Sequence, residues 1–180
     1  MKPLLLLLLG VTLTLPSFSQ TKKSTKTGEI YFEASVPSFE EVAARNKSTT
    51  AILNTETGEI AALTLIKGFR FKIALMEEHF NENYMESSEY PKATFKGRVS
   101  NFNLSELDAN FKDFIIKGSL QIHGKTKEMN IPAKLKKTAE GIILNSNFSV
   151  NSEDFDIRIP RVVSNKVAKK VNITMDFLLK

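Results

Sequence analysis

The sequence predicts an all-β fold, an antiparallel sheet of about eight strands, the number at which a closed sheet has room inside for side chains or for one small ligand. Short segments alternating apolar and polar residues recur at regular spacing along the chain, which favours an antiparallel sheet or barrel over β-α-β units. Two reversals with turn chemistry, Asn54-Thr55-Glu56-Thr57-Gly58 and His123-Gly124-Lys125-Thr126, each join two such segments.

At the N-terminus, Lys2 supplies a positive charge, Leu4 to Leu15 is almost wholly apolar, and Ser17 and Ser19 are small residues where a signal peptidase reads. Residues 1–19 are therefore expected to be a signal peptide cleaved before Gln20. Pro16 and the polar run after Gln20 leave the apolar segment short of the ~20 residues a membrane span needs. Residues 20–27 are polar and basic, expected to be a flexible leader, with one domain over residues 28–180.

Glu29 to Val36 is the first strand, Ile30, Phe32 and Ala34 opposing Glu29, Tyr31 and Glu33. Ser38-Phe39-Glu40-Glu41 has capping-box spacing and predicts a short helix through Arg45. Ser48 to Leu53 and Glu59 to Ile66 form a hairpin about the Asn54–Gly58 turn. A second short helix starts at Met76, because Met76, Phe80 and Tyr84 fall one turn apart, and Tyr90-Pro91 stops it. Lys92 to Val99 then alternates, Ala93, Phe95 and Val99 against Thr94, Lys96 and Arg98. Phe111 to Ile122 and Lys127 to Leu135 flank the second reversal, where Gly124 tolerates positive φ. In Gly141 to Val150, Ile142, Leu144, Phe148 and Val150 share a face, and in Val171 to Leu179, Ile173, Met175 and Phe177 do.

Composition narrows the function. The mature chain is one domain's worth, able to bury about 70% of its unfolded surface without a staple. With no cysteine among the 180 residues there is neither a thiol to acylate nor a disulfide. A soluble protein of the periplasm or medium, without a stable membrane anchor, is expected. The formal charge of +5 is a small surplus, and basic residues are not concentrated among exposed aromatics, which argues against nucleic acid as a partner. Arg158, Arg161, Lys166, Lys169 and Lys170 are the one basic cluster. A solvated loop face is the plain reading; contact with an anionic head group or membrane surface is the functional one.

No constellation for catalysis stands out. His79 lies beside Glu77, Glu78 and Glu82, but metal sites need three or four convergent ligands and the spacing matches no HExxH pattern. His123 sits at a hairpin corner, where a turn hydrogen bond is the plainer role. There is no cysteine nucleophile, no Gly-x-Ser-x-Gly elbow and no glycine-rich phosphate loop. Glu40-Glu41, Glu77-Glu78 and Asp154 with Asp156 would do acid/base work only if burial separated their pKa values. No catalytic residue, metal or cofactor is therefore expected.

Two stretches carry a family resemblance, MEEHFNENYMESSEYPKATFKG from Met76 to Gly97 and LQIHGKTK from Leu120 to Lys127. Together they resemble the YceI-like family, whose pattern here runs helix, then YP.a.F.g, then a strand ending in an L.iHG.T turn. Phe148 to Ile157 resembles the family's late f.i.r.dFgi segment and Lys166 to Leu179 its closing strand. The arginine and glycine common in the late segment appear as Asn151 or Ser152 and as Asp156, which puts any role of that arginine in doubt. Without tryptophan, the Gly-x-Trp signature of true lipocalins is absent.

The resemblance implies an eight-stranded lipocalin-like barrel with two short helices that binds a long apolar ligand, such as an isoprenoid, a polyprenyl quinone or an acyl lipid, and catalyses nothing. The expected lining is Phe69, Phe71, Ile73, Phe80, Tyr84, Phe95, Phe114, Ile116, Leu120, Phe148 and Phe177. Parity along each strand decides membership, and a slip of one residue would exchange a strand's whole set. Two rivals stay open: a barrel with a filled core that binds a partner through an apolar patch, and a lipid-modifying enzyme grown from Tyr84 or His79. A second copy of the chain as partner also stays open.

Overall fold

Strand after strand buries alternate residues and leaves those between in solvent, and the sheet they form closes on itself. The computed structural model describes residues 21–180, so the expected signal peptide and its cleavage before Gln20 lie outside the described residues. Nine strands follow in order: β1 (Lys22–Ser35), β2 (Ala43–Asn54), β3 (Glu59–Leu65), β4 (Arg70–Phe71), β5 (Lys92–Val99), β6 (Lys112–Ile122), β7 (Lys125–Lys137), β8 (Ile142–Asn151) and β9 (Val167–Leu179). They pair antiparallel in the order β1-β9-β8-β7-β6-β5-β3-β2, and β1 pairs with β2 to close an eight-stranded barrel. The two-residue β4 adds only to the start of β2, through Ala44↔Phe71 and Arg45↔Arg70.

Two expectations on the N-terminal side are corrected. Residues 21–27 are not a flexible leader, because β1 begins at Lys22 and pairs Lys22 to Thr25 with Asn54 to Ala51 of β2. The Thr55 amide and hydroxyl both donate to the Thr21 carbonyl, at 2.7 and 2.9 Å, and Ser24 and Lys180 exchange two backbone hydrogen bonds. Composition hid this strand, whose Lys22 and Lys26 are exposed while Thr25 and Gly28 are buried. At Gly28 the β1–β2 register shifts, and an added Cβ would lie 2.6 Å from the Phe177 ring.

The helix expected from Ser38 to Arg45 is absent as well. Ser38 sits at φ 73, outside any helical conformation, and Ala43 already opens β2. The Ala34 amide donates to the Val42 carbonyl at 2.8 Å and the Val42 amide to the Ser35 hydroxyl at 3.1 Å. Pairing of β1 with β2, as in Phe32↔Ala44, takes up the backbone groups of Ala43 to Arg45, and the local capping signal gives way. The second expected helix is present: α1 (Ala74–His79) runs on into a π turn over Phe80–Tyr84. The barrel thus carries one helix rather than two.

Strand direction sorts the connections between the two ends of the barrel. Connections 55–58, 100–111 and 138–141 lie at one end; 36–42, 66–91, 123–124 and 152–166 lie at the other. Near the first end the interior is filled by Leu53, Ile60, Val99, Ile116, Leu135, Leu144, Phe177 and Leu179. The helix and the longest connections gather over the second end, where the interior is left open.

Candidate functional site

The open half of the barrel holds a cavity of about 370 Å³. Inward-facing residues of the strands wall it, among them Ile30, Phe32, Phe95, Leu120, Phe148, Val150, Ile173 and Met175. Small-molecule sites typically span 300–1,000 Å³ and are mostly apolar, so size and chemistry both suit a hydrophobic guest. A core filled from end to end, one of the two rivals, is not what the structure shows.

Over the mouth lies an aromatic cluster centred on Phe32. Its ring is 5.3 Å from Phe69, 5.7 Å from Phe71 and 5.3 Å from Phe80, while Phe80 lies 5.8 Å from Phe69 and 5.1 Å from Phe71. Each such pair contributes about 0.5–1.5 kcal/mol beyond area burial, so this cluster anchors α1 and β4 to the barrel.

Of the residues expected to line the site, Phe69, Phe71, Phe80, Tyr84, Phe95, Leu120 and Phe148 border the cavity. Four do not. Ile116 and Phe177, 1% and 2% exposed, belong to the filled half. Phe114 packs toward the closed end with its ring 6.4 Å from Phe102, and Ile73 only precedes α1. Parity placed Phe114, Ile116 and Phe177 on the inner face, but it carries no information about depth along the barrel axis. Several wall residues were missed. The alternation of Ile30 and Phe32 was visible and could have been followed into the site; Phe155, 0% exposed, comes from the irregular 152–166 connection, where no period exists to read.

His123 ties three segments of the cap together. Held at φ 50 beside Gly124 at φ 70, it donates from Nδ1 to the Phe155 carbonyl at 3.0 Å. Its Nε2 lies 2.7 Å from the Glu86 carboxylate and its ring 4.5 Å from that of Tyr90. The hydrogen bond expected inside the turn instead crosses to the 152–166 connection and to the end of the helix. His79 is exposed at the mouth. Among the described residues no group of three or more His, Asp or Glu side chains is placed to hold a metal ion.

Of the carboxylates singled out in the sequence, Glu77 is half-buried and pairs with Arg70 at 2.9 Å, while Glu41, Asp154 and Asp156 are exposed and face lysines. Asp154 pairs with Lys127, and Asp156 with Lys125 at 2.8 Å, a bond that holds the Asp156 carboxyl below its usual range. A hydrogen bond from Lys72 does the same for Glu41. In the basic cluster, Lys166 borders the mouth, Lys169 pairs with Glu153 at 2.7 Å, and Arg158 and Arg161 stand exposed in the 152–166 connection.

Thr64 is a polar residue of the wall, and its hydroxyl lies 2.8 Å from that of Thr49, both residues being buried. Thr49→Val leaves the Thr64 hydroxyl unpaired and is expected to destabilise the protein by about 1–3 kcal/mol. Thr49→Val/Thr64→Val removes both partners and should recover most of that loss. Urea unfolding of the three proteins checks the pattern.

Comparison with known proteins agrees with this architecture. A polyisoprenoid binding domain from Saccharophagus degradans, implicated in plant cell wall breakdown, superposes with a TM-score of 0.77 at 13% identity over 89% of this chain and 98% of its own. BcnA of Burkholderia cenocepacia superposes at 0.68 with 14% identity, over 83% of this chain and 94% of its own. The YceI protein of Campylobacter jejuni does so at 0.53 with 15% identity, over 100% of this chain and 99% of its own. At these identities the likeness is one of fold. Comparison with curated proteins finds no match. The YceI-like domain model matches residues 18–179, nearly the whole chain, and the protein therefore belongs to the YceI-like family.

Proposed function

We propose that this protein binds and carries one long apolar molecule, an isoprenoid, a polyprenyl quinone or an acyl lipid, in the open half of its barrel. The observation that carries this reading is a cavity of about 370 Å³ with apolar walls in a barrel whose other half is solid. The structural likeness to a polyisoprenoid binding domain supports it. Binding is driven by desolvation: each methylene moved from water to the cavity is worth about 0.8 kcal/mol, so a long chain is held with few polar contacts. Phe69, Phe71, Phe80, Tyr84, Phe95, Leu120 and Phe148 are the proposed contacts. Tyr84 and His79, from which an enzyme site would have to grow, border the cavity, but carriage asks chemistry of neither.

The proposed setting is the periplasm or medium, reached through residues 1–19 as a cleaved signal. Among the described residues no helix is long and apolar enough to cross a membrane. Protein exported from its native host, extracted with organic solvent and followed by mass spectrometry, is expected to yield about one isoprenoid, quinone or acyl lipid per chain. A protein that carries nothing, and takes up neither an isoprenoid alcohol nor a fatty acid when offered them, defeats this reading.

A further inference from the structure

Strand β3 is apolar on both faces. Its inner residues Ala62, Thr64 and Ile66, the last just past its end, wall the cavity, while Ala61, Leu63 and Leu65 between them are exposed, Leu63 at 36% and Leu65 at 50%. A strand with so little alternation, Ile60 to Ile66 broken only by Thr64, is of the kind normally covered on both sides. Ile52 of β2, 42% exposed, lies opposite Ala61, and Thr50 and Thr94 flank Leu63. The outer face of three adjacent strands thus carries one apolar patch, where single exposed apolar residues would be ordinary. Because β3 is paired with β2 on one side and β5 on the other, it has no open edge for a partner strand, and contact there must be made by side chains.

A basic frame surrounds the patch. On β5, Lys92 lies opposite Leu65 and Lys96 opposite Ala61; on β1, Ser24 lies opposite Ile52, with Lys22 and Lys26 to either side; on β6, Lys117 lies opposite Arg98. The acids nearest the patch are matched, Glu59 with Arg98 at 2.8 Å and Glu29 with Arg45, and Glu128 beyond β6 accepts from the Ser119 hydroxyl at 2.6 Å. Lys22, Lys26, Lys92, Lys96 and Lys117 have no ion pair among the described residues. The connections over the mouth differ in sign: they carry ten acids against six bases, so Arg158, Arg161 and Lys166 are outnumbered there.

We propose that the outer face of β2, β3 and β5 docks reversibly on an anionic lipid bilayer. The aliphatic side chains enter the boundary between head groups and acyl chains, and the lysine stems lie along them with their ammonium groups at the phosphates. A second copy of the chain fits this face poorly, because a symmetric contact sets lysines against lysines. The assignment goes beyond carriage and does not depend on the cargo. It does place the carrier's wall against the lipid, since β3 presents the patch outward and the cavity inward, and Leu65 runs directly into Ile66 at the mouth.

Co-sedimentation of the purified protein with vesicles of equal parts phosphatidylcholine and phosphatidylglycerol, and with vesicles of phosphatidylcholine alone, tests this. Wild type is expected to sediment with the anionic vesicles at low salt, to leave them as salt is raised toward about 1 M, where the screening length falls to about 3 Å, and to ignore the neutral ones. Lys92→Gln/Lys96→Gln should weaken partition about twenty-five-fold, about fivefold for each lysine. Leu63→Thr/Leu65→Thr should weaken it about tenfold. Arg158→Gln/Arg161→Gln should bind as wild type does. The lysine variant, changed only at exposed tips, decides the matter even where the leucine variant melts early. Wild type that binds neither vesicle, or both equally, overturns the assignment, and so does undiminished binding by the lysine variant. Loss of binding on changing Arg158 and Arg161 overturns it by putting the contact at the mouth, and a dimer in light scattering that Leu63→Thr/Leu65→Thr dissolves overturns it by giving the patch to a second copy. Vesicle binding by a protein that yields no extractable lipid leaves the docking face standing and defeats carriage alone.

Discussion

Gly118→Val is expected to lower the melting temperature by about 10 °C, through a loss of about 3 kcal/mol at the 2–4 °C per kcal/mol usual for chains of this size. Gly118 faces Gly97 across the β5–β6 ladder. A Cβ added at Gly118 would lie 2.3 Å from the Lys96 carbonyl oxygen and 2.6 Å from the Gly97 Cα, both backbone atoms that cannot rotate away. At Gly97 it would meet the Lys117 carbonyl oxygen at 2.6 Å and the Phe95 ring at 2.9 Å. The strands come this close because neither carries a side chain at the crossing, a common role for glycine inside a strand. Valine must push them apart and disturb pairs that support the cavity wall, Phe95↔Leu120 among them. Differential scanning calorimetry reads the result, and a variant that melts within about 2 °C of wild type shows that the close approach is not needed.

Leu120→Trp is expected to reduce affinity for a long apolar chain by about thirtyfold while leaving the barrel folded. Leu120 is buried, borders the cavity and lies opposite Phe95. An indole there stays apolar but takes space that two or three methylenes of a ligand would fill, a loss of about 2 kcal/mol at about 0.8 kcal/mol each. Leu120→Met, close in volume, should bind as wild type does. The sharper control is Ile116→Trp on the same strand and the same inner face, but in the filled half, where there is no space to take. It should destabilise the fold rather than compete with ligand. Equal loss of binding from both tryptophans, with equal stability, would show that the cavity does not divide the barrel as described.

Phe95, Leu120, Ile116 and Phe177 also mark how far sequence alone reaches. Direction toward or away from the interior is a local property, since successive side chains of a strand point to opposite faces, and period-two alternation therefore placed all four inside. The hairpins about Asn54–Gly58 and His123–Gly124 were legible for the same reason, their turn residues acting on neighbours in the chain. Depth along the axis is not local. It depends on how strands remote in sequence are staggered when the sheet closes, and that stagger sends Ile116 into solid core and Leu120, two pleats further along, to the cavity wall. Closure also decided the polar start of β1, which becomes a strand only because Asn54 to Ala51 wait beside it, and the fate of Ser38 to Arg45, where β1–β2 pairing overrode a capping signal. The cap is tertiary throughout. Nothing in the neighbourhood of His123 announces that its partners are Phe155 and Glu86. Alternation and turn chemistry thus determined that the chain is a β-barrel with an apolar interior, because those signals act between near neighbours; which half is hollow was decided by contacts that exist only once the barrel has closed.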